Sequence, residues 1–379
     1  MRNVCIFYTD GNRLREITAR YPACETVRLR GGPDRALFAE RETQSIVFVA
    51  RNEELQGLAA ACRGLSFASV AVYPTDVGYA PREPIGIDIS KPRLDYMETE
   101  LCHVCNLNCK GCCDYSNLHV DTGFYDFDNF VKDLNRMKEL FWGIAKIRLM
   151  GGEPLMNPRI ADYAEKCREI FPDSDLRIVS NGLLLPKIPT DTLERIRDCG
   201  CSFDISNYPP SRKNKKEIVA AAERSGVPIK FGVPMNRFLR TILERPTDDP
   251  APAFRNCLFT HCHMMGNGKL APCSYAYCAY RFNARFGTDY PEDDLLELSD
   301  PSLDGWKIVK AFSEPHKYCV CCGRGALPYR WRGHVGPDQA KKEDWLIPDT
   351  ALSRTVAPVI QKALKPAAVR LRALIQKKK

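Results

Sequence analysis

Five of the chain's eighteen cysteines fall between Cys102 and Cys113, and this crowding limits what the polypeptide can fold into more than any other feature. In a reducing compartment disulfides rarely persist, so clustered thiols point to a metal or to catalysis. A second group runs from Cys257 to Cys322. Two metal-binding regions are therefore expected, each needing a rigid scaffold to present its ligands.

The pattern around the first group supplies such a scaffold. Strand-like runs at Tyr96 to Leu101, Lys146 to Met150, Leu176 to Ser180, Ser202 to Ser206 and Ile229 to Val233 alternate with helical patterns. Phe130, Leu134, Met137 and Leu140 share one helical face, as do Ile160, Tyr163, Ala164 and Cys167, so each helix can cover one side of a parallel sheet. The alternation alone permits an open doubly wound sheet or part of a (β/α) barrel. In either case ligands belong at the carboxyl ends of the strands, and Cys102 to Cys113 follows the first of them.

The N-terminal segment reads as a smaller α/β unit, half of a doubly wound (Rossmann-like) sheet. Val4 to Tyr8, Ser45 to Ala50 and Ser69 to Tyr73 are apolar strand candidates, and Leu55 to Arg63 is a helix candidate. Thr9-Asp10-Gly11-Asn12 after the first strand lacks the spaced glycines that let a dinucleotide pyrophosphate approach a helix, which favours a docking or scaffolding role. The expected division is 1–80 for this unit, 81–94 for a proline-bearing linker, 95–250 for the barrel-like region, 251–330 for a cysteine-rich extension and 331–379 for a C-terminal segment. Cys5, Cys24, Cys62, Cys167, Cys199 and Cys201 read as small core residues, and His103, His119, His261 and His263 as packing or solvent-facing.

Within the first group, Cys105, Cys109 and Cys112 form C-x-x-x-C-x-x-C. Such a loop can give thiolates to three irons of a cubane cluster and leave the fourth iron open. With Asn106-Leu107-Asn108 and Lys110-Gly111 beside it, the motif resembles the signature of the radical S-adenosylmethionine (radical SAM) superfamily. The resemblance implies a [4Fe-4S] cluster whose open iron chelates S-adenosyl-L-methionine, and a reductive cleavage that yields a 5'-deoxyadenosyl radical. It implies a partial parallel (β/α) barrel over roughly residues 95 to 235. Three further loops fit it. Gly151-Gly152-Glu153-Pro154 follows the second strand, Ser180-Asn181 ends the third, and Ser206 ends the fourth, at places where the family contacts methionine or ribose. The residue before the third cysteine, often bulky in that family, is Gly111, which removes an adenine stack from that position. A zinc site of Cys102, Cys105, Cys109 and Cys112 is the alternative the spacing leaves open.

Farther on, Cys257, the turn former Asn267-Gly268, Cys273 and the pair Cys319 and Cys322 resemble the shortened auxiliary-cluster extension called twitch, a relative of SPASM. That likeness implies an auxiliary [4Fe-4S] cluster on Cys257, Cys273, Cys319 and Cys322, and a tight turn at Asn267-Gly268 would return Cys273 beside Cys257. Cys262, Cys278 and Cys321 lie nearby, and a zinc knuckle on the same four cysteines is the alternative.

Charge is unevenly placed. The net +8 resides in Thr350 to Lys379, which has eight cations and no acid, while the rest of the chain carries 47 of each sign. A basic face for nucleic acid is not indicated. The tail interleaves Val356, Val359, Ile360, Leu364, Leu371, Leu374 and Ile375 with its cations, a pattern that can lie weakly on an anionic membrane surface or remain a solvated end. Val4 to Tyr8 is too short for a signal-peptide core or a membrane span, so a cytoplasmic protein is expected, with the tail as its possible contact to the inner face of the membrane. The expected activity is that of an oxidoreductase-like radical enzyme fed by a flavodoxin or ferredoxin. Its substrate is a peptide, or a sugar or other small metabolite. The competing class is a non-catalytic zinc- or iron-sulfur-binding interaction protein.

Overall fold

The computed structural model describes residues 4–9, 14–21, 23–30, 33–75, 84–257, 262–350 and 359. Asp10-Gly11-Asn12, the first part of the linker, His261 and nearly all of the basic tail lie outside the described residues.

The N-terminal unit is a sheet in the order β2-β1-β3-β4-β5, with β1 Val4–Tyr8, β2 Glu25–Arg28, β3 Ser45–Ala50, β4 Ser69–Pro74 and β5 Ile85–Gly86. The first four strands are parallel and β5 is antiparallel to β4. The expected half of a doubly wound sheet is thus present. Part of the segment read as linker closes its edge, and β2 carries no apolar run that would have marked it. Phe7, Phe38 and Phe48 pack in the core under the helices, with Phe7 edge-on to Phe38 at 4.9 Å.

Short strands β6 Arg93–Leu94 and β8 Gly143–Ile144 pair with each other at the base of the second unit. That unit is built on an eight-stranded sheet. Its parallel part is β7 Met97–Cys102, β9 Lys146–Gly151, β10 Asp175–Ser180, β11 Ser202–Ile205 and β12 Ile229–Phe231, in the order β12-β11-β10-β9-β7. The Phe127–Leu140 and Ile160–Ile170 helices bury the faces predicted from their spacing. Met97, Leu101, Ile147, Leu149, Leu176, Ile178, Phe203 and Ile205 join that helix-side core. Because side chains alternate along a strand, Glu98, Arg148, Arg177 and Asp204 face the other way, into the barrel. Glu98 and Arg177 are buried and Arg148 and Asp204 half-buried, and the row is tolerated because its members pair: Arg148 lies 3.4 Å from Glu98, and Arg177 lies 2.9 Å from Asp204.

The sheet does not stop at β7. β14 Met264–Gly266 adds parallel to it, and β15 Lys269–Ala271 and β16 Leu296–Glu297 follow antiparallel. Asn267 and Gly268 both have positive φ (46° and 77°), the geometry a two-residue hairpin turn requires. A third sheet, β17-β13-β18, consists of β13 Arg237–Leu243, β17 Cys322–Arg330 and β18 Leu346–Ile347. No helix among the described residues is long and apolar enough to cross a membrane.

The two α/β units are joined through buried groups. Trp142, at the end of a barrel helix, sits in the N-terminal core, and the Arg93 guanidinium lies 5.0 Å from its ring centre. Arg93 also pairs with Asp173 at 2.7 Å, both side chains being almost fully buried. Removing one partner of a buried pair strands the other's charge. Asp173→Ala should therefore lower the unfolding free energy by about 3–5 kcal/mol in chemical denaturation; a loss under about 1 kcal/mol would show that the pair acts like a surface one.

Candidate iron-sulfur and nucleoside site

The loop after β7 carries the cysteine trio. Asn108 and Gly111, both with positive φ (43° and 61°), bend it tightly, leaving Cys109 buried and Cys105 and Cys112 half-buried. The three thiols lie within reach of one another's charge. Burial pushes Cys105 up to about 12, with the charges of Glu153 and Cys112 adding to it. Cys109 is raised by burial and then by Cys112 and Cys105. Cys112 is held below its ordinary value by hydrogen bonds from Cys113 and Ser116.

The surroundings suit bound thiolates, which accept hydrogen bonds when they ligate a cluster. The Leu107 amide donates to Cys105 Sγ at 3.4 Å, and the Trp331 indole donates to Cys109 Sγ at 3.3 Å. Among the described residues no three His, Cys, Asp or Glu side chains close on a single metal ion. Cys102, the fourth ligand of the zinc alternative, instead points its thiol at the Val104 carbonyl at 3.2 Å.

The next loop is clamped to this one. Gly152 N–H donates to the Cys102 carbonyl at 2.7 Å, and Glu153 N–H to the Val104 carbonyl at 2.8 Å. A β-carbon on Gly151 would lie 2.5 Å from the Cys102 carbonyl oxygen, and one on Gly152 would lie 2.1 Å from that of Val104. Both positions exclude a side chain because the cysteine loop itself presses on them. Glu153 is fully buried, and its carboxylate accepts from Leu155 N–H at 3.1 Å, Ser180 Oγ–H at 2.7 Å and Asn181 N–H at 2.8 Å. Burial nevertheless lifts its carboxyl to about 7, against those donors. Pro154 opens a short 3₁₀ turn behind it.

The remaining predicted residues converge on the same place. Asn181 Nδ2 donates to Asn106 at 2.6 Å and lies 4.0 Å from Cys105 Sγ, and Ser206 N–H donates to the Ser180 carbonyl at 2.8 Å. Gly151, Gly152, Glu153, Pro154, Ser180, Asn181 and Ser206 thus form one rim beside the cysteine trio, at the carboxyl ends of β9, β10 and β11.

The cysteines of the second group lie within electrostatic reach of one another. Cys273 feels the charges of Cys257 and Cys319, Cys319 feels Cys257, and Cys322 feels Cys273, Cys257 and Cys319. Burial is the largest cause of the upward shift in all three. Cys273 caps the Ser274–Phe286 helix, with Ala276 N–H donating to its sulfur at 3.4 Å, a bond that offsets part of the larger upward push of burial. Cys262 lies near Cys257 and Cys273 and Cys321 near Cys319. Cys278 is turned toward Glu100 and Arg281 instead. His103 accepts from Arg281 at 2.7 Å and His263 bonds the Pro272 carbonyl at 3.0 Å, so both serve packing.

Sequence reasoning missed the C-terminal aromatics. Tyr329, Trp331 and Trp345 all reach the cysteine loop, and Tyr208, just past Ser206, stacks on Trp331 with ring centres 5.7 Å apart. The unexplained Gly111 belongs with them: a β-carbon there would lie 2.1 Å from the Tyr329 hydroxyl. The one available signal was that two of the chain's four tryptophans, Trp331 and Trp345, fall in this short segment.

Residues 99–228 match the family model of the radical SAM superfamily, so the chain carries a radical SAM domain. It is 30% identical over 149 residues to GTP 3',8-cyclase of Alkaliphilus oremlandii, covering 37% of this chain and 43% of that protein. It is 24% identical over 169 residues to the GTP 3',8-cyclase of Campylobacter jejuni subsp. doylei, covering 43% of this chain and 51% of the relative. The chain thus spans about half or less of the length of these curated relatives. Among solved structures it is similar to BtrN in complex with AdoMet and 2-DOIA, with a TM-score of 0.41 and 14% identity over 68% of this chain and all of that one.

Because Gly152 has no room for a methyl group, Gly152→Ala should push the two loops apart. We expect a loss of about 1–3 kcal/mol and a markedly lower iron content after anaerobic reconstitution; iron retention equal to the parent would show that the clamp does not shape the site.

Proposed function

We propose that this chain is a radical SAM enzyme in which Cys105, Cys109 and Cys112 hold a [4Fe-4S] cluster that binds S-adenosyl-L-methionine. The observation that carries the reading is the convergence of three mutually interacting thiols, two of them receiving N–H donors, with the clamped Gly151–Pro154 loop at the carboxyl end of a parallel sheet. When reduced, such a cluster supplies the electron that splits S-adenosylmethionine into methionine and a 5'-deoxyadenosyl radical, which takes a hydrogen atom from substrate.

The chain's own residues do the positioning. Glu153 ties the second loop to the third, so Asn181 is fixed within reach of Asn106 and Cys105. Ser180, Asn181 and Ser206 are the residues assigned to the nucleoside and methionine portions of the cofactor. Cys257, Cys273, Cys319 and Cys322 are assigned to an auxiliary [4Fe-4S] cluster that accepts or relays an electron. A small flavodoxin- or ferredoxin-type protein is the reductant.

For the substrate we favour a polar small metabolite over an apolar peptide side chain. The barrel interior presents Glu98, Arg148, Arg177 and Asp204 as a connected ion-pair network, and Arg148 Nε is buried without a partner among the described residues. A lining with unused hydrogen-bonding capacity discriminates in favour of a hydrogen-bonding substrate. The named relatives, GTP cyclases, point to a small polar metabolite as well.

Anaerobic reconstitution with reductant tests the activity. The parent should convert S-adenosylmethionine to 5'-deoxyadenosine. Cys105→Ala, Cys109→Ala and Cys112→Ala should each abolish the product, while Cys257→Ala or Cys273→Ala should retain part of the substrate-free cleavage. No 5'-deoxyadenosine from a protein with intact clusters would overturn the reading.

A further inference from the structure

The strand that begins at Cys322, a proposed auxiliary ligand, ends beside the radical-cluster loop. From there the chain lies along that loop as a strap. Lys110 N–H donates to the Arg332 carbonyl at 2.8 Å, His334 N–H to that of Leu107 at 2.6 Å, and Val335 N–H to that of Asn108 at 2.9 Å. Farther on, the Trp345 indole donates to the Cys112 carbonyl at 2.7 Å and Asp344 pairs with Lys110 at 2.9 Å. The absence of a β-carbon at Gly111 lets Tyr329 enter, and its hydroxyl donates to the Lys110 carbonyl at 2.8 Å.

This strap delivers one side-chain donor to a proposed ligand. Trp331 Nε1–H points at Cys109 Sγ at 3.3 Å, and the ring is held from two directions. Its backbone amide donates to the Asn236 carbonyl at 2.9 Å, and its face stacks on Tyr208 with 12° between the planes. The Cys109 sulfur, a thiol in this structure, is a thiolate when it ligates iron. A hydrogen bond donated to that thiolate withdraws electron density from it. It therefore stabilises the reduced cluster, which carries one more negative charge, and raises the reduction potential.

Resting on the reading of Cys105, Cys109 and Cys112 as cluster ligands, we propose that Trp331 is a positioning residue that sets the reduction potential of the radical cluster through its indole N–H bond to Cys109. The Leu107 amide does the same at Cys105, but that donor belongs to the backbone, whereas the Trp331 indole can be removed by a side-chain substitution. Trp331 thereby links the C-terminal segment to how easily the external reductant, a low-potential electron-transfer protein, passes one electron to the cluster.

The test uses the full chain, reconstituted anaerobically, with the potential followed by dye-mediated titration and electron paramagnetic resonance. Trp331→Phe keeps an aromatic ring for the stack and removes the donor, so its radical cluster should titrate at a more negative potential. At fixed reductant the ratio of reduced to oxidised cluster should fall about tenfold, equivalent to about 59 mV for one electron. Trp331→His, which can stack and donate, should recover part of the shift. An unchanged potential in Trp331→Phe with its iron retained would overturn the proposal.

Should Trp331→Phe lose the cluster, pulsed double resonance on the parent with ¹⁵N-labelled tryptophan decides. A coupling of the reduced cluster to the indole N–H supports the proposal, and its absence overturns it. Failure of the parent itself to form a [4Fe-4S] signal at the trio would instead defeat the proposed function.

Discussion

The structure of the site depends on a backbone clamp between two neighbouring loops. The carbonyls of Cys102 and Val104 are taken by the amides of Gly152 and Glu153, and that register can exist only because neither Gly151 nor Gly152 carries a side chain. The clamp has consequences on both sides. It fixes the start of the cysteine loop, and it places Glu153 where its buried carboxylate collects donors from the third loop. Buried polar groups are costly unless satisfied, and here each satisfied group belongs to a different strand end. Three loops that are far apart in sequence are therefore held as one rigid rim, which is the preorganisation a reactive radical site needs.

A second layer holds the cysteine loop from above. Tyr329, Trp331 and Trp345 come from a segment more than two hundred residues later in the chain, yet they bond the backbone or sulfur of Lys110, Cys109 and Cys112. Because the same segment starts at Cys322, the two cysteine groups are mechanically continuous. Tyr275, whose hydroxyl is raised chiefly by burial, lies within electrostatic reach of both Cys113 and Cys322, so the two groups share a protein interior.

Much of this was legible in the sequence where a short period or a fixed spacing carries the information. The five parallel strands and the buried faces of two covering helices follow from apolar periodicity, and the cysteine trio and the Asn267-Gly268 turn follow from local spacing. The four cysteines of the second region lie within electrostatic reach of one another. Three features were not legible. β2 is exposed along most of its length, so it has no apolar signature. The extension of the main sheet by β14 depends on a pairing between Glu98–Thr99 and Met264–Met265, for which local sequence holds no signal. Gly111 reads as a departure from the family pattern until Tyr329 is seen in the space a side chain would occupy. Long-range packing, rather than propensity, decided each of them.

The most direct measurement of the central claim is the iron and acid-labile sulfide content, with Mössbauer spectra, of the anaerobically reconstituted chain and of its Cys105→Ala/Cys109→Ala/Cys112→Ala variant. Two cubane clusters predict about eight irons per parent chain and about four in the variant, both with [4Fe-4S] spectra. Stoichiometric zinc in place of iron, or an iron content that the triple substitution leaves unchanged, would contradict the account.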